Sequence, residues 1–248
     1  MTIFSRSLIV LALTGSVSAA MATPSFDSLT IRSTEISAPN EFPNTIVTVD
    51  PNTGREIQTQ RNESDVNGWE LKYSEQLNDN TYWFANYRND RFSQTEYSQM
   101  SQPTPPVIAN LFNETNVTTR HYTWGAGYIF NLSEHTTVDF SGSIGRMKLK
   151  AKDFFRYTSG QSANSYVENV RTYSTVAGYG ARFRHEFTED LEFYTSIGGE
   201  RWYADEDDTI SVQTIGLNYF IFDETAISVE YGKYDDEERS AVGVHFTF

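Results

Sequence analysis

The chain has 248 residues, no cysteine and a formal charge of −14. These facts exclude a disulfide framework and a lipid-modified cysteine, and the acidic balance argues against nucleic acid, which needs a basic face. Aromatic residues make up 15%, with 15 Tyr and 17 Phe, yet the mean hydropathy is negative.

Residues 1–22 read as a targeting segment. Arg6 gives a positive start, Leu8 to Leu13 a short apolar core, and Ala20-Met21-Ala22 a small-x-small site, so cleavage is expected after Ala22. That core is shorter than the roughly 20 residues a membrane-crossing helix needs, and no other stretch comes close. Residues 23–248 then fit one domain.

The pattern of that domain is alternation. A first strand is expected from about Phe26 to Ser37, with Leu29 and Ile31 outward. A long polar loop, Ala38 to Asp65, holds Pro39, Pro43, Pro51 and a turn at Asp50-Pro51-Asn52-Thr53-Gly54. Strand two, Val66 to Leu77, turns tightly through Asn78-Asp79-Asn80 into strand three, Thr81 to about Phe92. A second loop, Ser93 to Thr118, contains Pro103, Pro105 and Pro106, and its Val107, Ile108, Leu111 and Phe112 suit a short apolar helix.

The clearest hairpin spans Thr119 to Lys150. Tyr122, Trp124, Ala126, Tyr128, Phe130 and Leu132 share one parity, and small or polar residues fill the other, with Ile129 the exception. After Ser133-Glu134-His135-Thr136 the second arm repeats the pattern with Val138, Phe140, Gly142 and Ile144. A third loop is expected from Ala151 to Glu168. Strand six, about Val170 to Phe187, alternates Tyr173, Ala177, Tyr179, Ala181 and Phe183 with Thr172, Ser174, Gly178, Gly180, Arg182 and Arg184. Strands seven, Leu191 to Ala204, eight, Ile210 to Phe222, and nine, Ala226 to Tyr234, follow. Their connections are Thr188-Glu189-Asp190, Asp205 to Thr209 and Asp223-Glu224. A charged loop, Asp235 to Arg239, leads to a last strand in which Val242, Val244, Phe246 and Phe248 alternate with Gly243, His245 and Thr247.

Ten strands of this kind need a cover for their apolar face. No helical stretch supplies one, so lipid is the expected partner. Apolar-out alternation, aromatic girdles and short turns on one side are the signature of a transmembrane β-barrel. The terminal aromatic Phe248, with Phe246, resembles the C-terminal targeting signal of bacterial outer-membrane proteins. The whole chain resembles a small outer-membrane β-barrel protein, of about ten strands within a range of eight to twelve. The resemblance implies a Gram-negative outer membrane, with short turns and both termini periplasmic. It also implies contact with membrane lipid and lipopolysaccharide, and delivery by the barrel-assembly machinery through the last strand.

Parity places Arg32, Lys72, Arg88, Arg182 and Arg184 inward, against Glu70, Asp90, Asp139, Glu186, Glu192, Glu200 and Glu230. Barrels of about eight strands are filled by side chains, whereas open pores need about 16. A salt-bridged interior with a structural or surface-interaction role, and no enzymatic one, is therefore the first expectation. A narrow solute path past Arg182, Arg184 and Glu200 is the second. Clustered carboxylates at Asp205, Asp207, Asp208, Asp235 and Asp236 suit Ca²⁺ or Mg²⁺, although without the spacing of an EF-hand; otherwise no cofactor is expected. A third expectation, from geometry alone, is a mouth site like that of the omptin proteases, a family longer than this chain. It would set His121 beside an acid at the outer mouth, but no omptin motif matches, and His121-Tyr122-Thr123 departs from the His-x-Ser pattern of lipid A deacylase barrels. The extracellular ligand, if one exists, is not specified by these residues.

Overall fold

The structure, a computed structural model, describes residues 25–37, 45–49, 55–63, 66–103, 106–159, 162–203, 208–235 and 237–248. The expected leader lies outside them. Twelve strands are present: β1 (Ser28–Ser37), β2 (Thr45–Val49), β3 (Glu56–Glu63), β4 (Val66–Asn78), β5 (Thr81–Pro103), β6 (Pro106–Ser133), β7 (Thr136–Ser159), β8 (Ser162–Thr188), β9 (Leu191–Tyr203), β10 (Asp208–Phe222), β11 (Thr225–Tyr234) and β12 (Glu237–Thr247).

Ten of them close a barrel in the order β1-β4-β5-β6-β7-β8-β9-β10-β11-β12, with β12 pairing back onto β1. Neighbours are antiparallel throughout, which lets two-residue turns join them. Those turns, Asp79-Asn80, Glu134-His135, Glu189-Asp190 and Asp223-Glu224, all lie at one end. The expected strand count, tight turns and parity are thus observed.

The two faces separate as the pleat dictates. Trp124, Tyr179 and Ile197 are 69%, 66% and 62% exposed, values that in water would leave a bare apolar surface. Aromatic contacts gather in two rows. Trp69, Tyr87 and Tyr122 form one, with 4.8 Å between successive ring centroids. Tyr128, Phe130 and Phe140 begin the other, which Trp83, Tyr73 and Phe248 continue over the adjoining strands β5 and β4 and the end of β12. Tyr122 and Phe130 stand eight residues apart on β6, about 26 Å along the strand, or about 20 Å of height at the usual barrel tilt, on the scale of the apolar band of a barrel crossing a bilayer.

Inward glycines make room for rings. A Cβ at Gly125 would strike the Phe84 ring, one at Gly127 the Tyr82 ring, and one at Gly216 the Tyr194 ring. Each ring therefore lies flat over a neighbouring strand instead of filling the lumen as a free side chain.

Four expectations are corrected. The stretches Ser93–Thr118 and Ala151–Glu168 are not loops: β5 pairs with β6 as far as Pro103 and Pro106, and β7 with β8 as far as Ser159 and Ser162. The residues proposed as an apolar helix, Val107 to Phe112, lie in β6. Proline signals misled here because Pro103 and Pro106 sit at the tips of the strands, where a missing N–H costs little. Part of the first loop is also strand: β2 and β3 form a hairpin, and β3 joins β5 from Gln94 to Ser101. The charged loop ends sooner than expected, because β12 begins at Glu237 and includes Arg239.

A sheet of β2, β3, β5, β6, β7 and β8 therefore rises beyond the upper aromatic row. From Arg91 to Pro103 it extends about 40 Å along β5. Both of its faces are mixed, with Phe112 against Phe154 on one and Phe155 stacked on Tyr166 at 4.6 Å on the other.

Candidate functional site

The interior is built in tiers. At the short-turn end Phe26, only 2% exposed, turns inward with the parity of β1. Its ring lies 4.8 Å from that of Tyr82 and beneath the guanidinium groups of Arg184, at 4.7 Å, and Arg182, at 5.5 Å. Ile129, the apolar exception on the inward parity of β6, completes this cluster. Above it Asp139 accepts from Arg182 Nε at 2.8 Å and from the Tyr82 hydroxyl. Arg184 donates to Glu192 and to the Ser25 carbonyl, and Asn218 donates to the other oxygen of Glu192 at 2.7 Å.

The middle tier centres on Arg32. It donates to Glu230 at 2.6 Å, to the Tyr194 hydroxyl at 2.7 Å and to Ser228 at 2.9 Å. Glu230 and Ser228 stand on β11, and the Tyr194 ring reaches from β9 across Gly216 of β10, so this guanidinium ties β1 to β11 and β9 inside the lumen. At the upper tier Arg239 of β12 donates to Glu70 of β4 at 2.9 Å and to the Tyr234 hydroxyl at 2.7 Å, while Asn86 donates to the second Glu70 oxygen. Arg88 pairs with Asp90 at 2.7 Å.

Of the residues expected to line the lumen, Arg88, Asp139, Arg182, Arg184, Glu200 and Glu230 all face it. The first four and Glu230 are ion-paired. Glu200 instead accepts from Trp202 Nε1 at 3.4 Å. Lys72 is the one inward cation without a carboxylate in ion-pair range among the described residues. It borders a cavity of about 210 Å³ that runs along the small side chains of β8 and β9, among them Gly178, Gly180 and Gly198, to Glu200. Sequence reading missed Arg239, which it placed in a loop, and Phe26, to which it gave no role. The inward parity of Phe26 was visible in the chain.

His121 is buried and meets Trp202 edge-on at 5.9 Å. No carboxylate bonds to it among the described residues. Of the proposed metal ligands, Asp205, Asp207 and Asp236 lie outside the described residues. Asp208 opens β10 opposite Trp202. Asp235 is held at φ 52 by a reciprocal pair with Ser211, whose N–H donates to its carboxylate at 2.7 Å and whose carbonyl accepts from its N–H at 3.0 Å. That carboxylate thus ties the end of β11 to the start of β10, a local role that suits Asp at positive φ. Among the described residues no three acidic or imidazole groups gather to hold a metal. Of the C-terminal pair, Phe248 stacks on Tyr73 at 6.0 Å and Phe246 sits opposite Leu29.

No family model matches the chain, and no curated protein does. Similar solved structures include the translocator domain of the autotransporter NalP from Neisseria meningitidis, at 12% identity over 92% of this chain and 91% of that one, with a TM-score of 0.46. An outer membrane channel from Pseudomonas putida F1 is 11% identical over 95% and 100%, with a TM-score of 0.41. Ail, the attachment invasion locus protein of Yersinia pestis, is 15% identical over 89% and 95%, with a TM-score of 0.31. What decides the class is the chain's own geometry, a closed wall with an apolar outside and an ion-paired inside. The chain is a transmembrane β-barrel.

Proposed function

We propose that this barrel is an outer-membrane anchor with a closed lumen, whose activity lies on the sheet it raises outside the cell. It is not an enzyme in this reading. The observation that carries the proposal is the length of β5 to β8, which run 23, 28, 24 and 27 residues. A barrel strand crosses a bilayer in about 9–11 residues. The remainder is paired, carries polar and aromatic side chains on both faces, and is held by its ladder in a form that displays them, as a recognition surface must be. The short turns, with Ser25 and Phe248, fall at the opposite end, which this reading takes as periplasmic, and the last strand is the expected handle for barrel assembly.

An epitope placed between Pro103 and Pro106 is expected to be stained by antibody on intact cells. The same epitope between Glu134 and His135 is expected to be stained only after permeabilisation. The reverse pattern would invert the barrel and end this reading.

A narrow solute path is the second reading. The cavity beside Lys72 and Glu200 favours it, but passage would require the Arg32 bridge to break.

A further inference from the structure

The outer surface of β6, β7 and β8 changes character at one level. Up to Tyr122 and Ile144 it is apolar. Directly above, on the same parity, stand Arg120, Arg146, Lys148, Lys150 and Arg171. The register sets Arg120 opposite Lys148, and Lys150 opposite Arg171. Like charges directly opposite on one face of a sheet are destabilising. None of these five cations has a carboxylate in ion-pair range among the described residues.

The acids of the same region are elsewhere. Asp153 faces Glu168 across β7 and β8, but on the parity that continues the lumen. Glu114 shares the cationic face higher up and accepts from Asn116 at 2.9 Å. In a chain of charge −14, cations thus line the membrane-side face at this level, with Glu114 higher up on it and Asp153 and Glu168 on the other face. The row is also ordered. Arg146 and Lys148 both lie over the Tyr173 ring, at 4.8 and 5.2 Å, and the buried Arg120 Nε has no hydrogen-bond partner.

We propose that Arg120, Arg146, Lys148, Lys150 and Arg171 form a docking surface for the phosphorylated headgroups of the lipid leaflet around the barrel. The patch continues the lipid-facing surface instead of opening to the lumen or the mouth. The patch begins at the upper aromatic row, where Arg146 stands opposite Tyr122, and extends four residues beyond it, to Lys150 opposite Thr118, the zone in which headgroup phosphates stand. Phosphate between opposed cations removes the repulsion that the register creates and gives guanidinium groups their preferred oxygen partners. The proposal deepens the surface role above by naming the lipid that seats the raised sheet, and it rests on that end lying in a phosphate-bearing leaflet.

The test uses the full chain refolded in zwitterionic detergent, where orientation plays no part. Fluorescent bisphosphorylated lipid A is titrated against it. Saturable, salt-sensitive binding is expected, and dephosphorylated lipid A should bind at least about tenfold more weakly. A variant carrying R120Q, K148Q, K150Q and R171Q should also lose at least about tenfold in affinity while retaining its heat-modifiable folded band. Lys233→Gln, an outward cation on the distant β11, should bind like the unaltered chain. The proposal is overturned if the fourfold variant binds within about twofold of the unaltered chain. It is equally overturned if removing the phosphates leaves affinity unchanged, or if millimolar inorganic phosphate displaces the lipid completely.

Discussion

Replacing Arg32 with Met is expected to destabilise the folded barrel by about 3–5 kcal/mol, the cost of stranding a buried charge. Arg32 and Glu230 are both nearly sealed from solvent, at 6% and 9% side-chain exposure. Without the guanidinium, Glu230 keeps only the Tyr194 hydroxyl, at 3.0 Å, as a direct partner. Tyr194 and Ser228 would each lose a donor as well. The readout is the midpoint of urea unfolding in detergent micelles, followed by tryptophan emission. The paired variant R32M/E230Q should recover most of the loss, because removing both charges also removes the desolvation each one suffers. An unchanged midpoint for R32M alone would mean that the bridge across the lumen carries no weight.

Phe26→Ala is expected to cost about 3 kcal/mol, in the range for deleting a large buried ring. The ring packs on Tyr82 and Ile129 and lies beneath two guanidinium groups, so truncation opens a hole that these neighbours fill only in part. Trp124→Ala, a larger deletion on the exposed face, should cost less, since lipid closes over the gap and no cavity forms. Equal losses for the two variants would show that Phe26 is not a packed stopper. Unfolding midpoints on the same preparation compare them directly.

The sequence made the barrel wall readable because a pleated strand has a strict period of two. Lipid outside and polar groups inside imprint that period on Tyr122–Leu132, Val138–Ile144 and Tyr173–Phe187. The raised sheet was unreadable for the same reason. Both faces of Gln94–Ser101 and Ser162–Glu168 are polar or mixed, so there was no apolar parity to detect, and proline tips pointed to loops. Inward charges were found by parity, yet their partners were not. Arg32 and Glu230 are far apart in the chain and meet only because β12 closes onto β1 and brings β11 near. Arg239 was lost because a run of acids before it suggested a loop, although Ala241, Gly243 and His245 share its parity. The outer cationic row was there to be read in the alternation Lys148-Leu149-Lys150-Ala151-Lys152, but its meaning depends on Arg120 and Arg171, which the register alone sets beside it.

The most direct test of the closed lumen is single-channel recording of the refolded chain in a planar bilayer. Ion-paired tiers at Arg239–Glu70, Arg32–Glu230 and Arg182–Asp139 predict a silent membrane, with insertion verified by heat-modifiability. Steady openings whose conductance changes when Arg182 or Arg184 is replaced by Ala would contradict the closed lumen and assign the barrel to a conducting path.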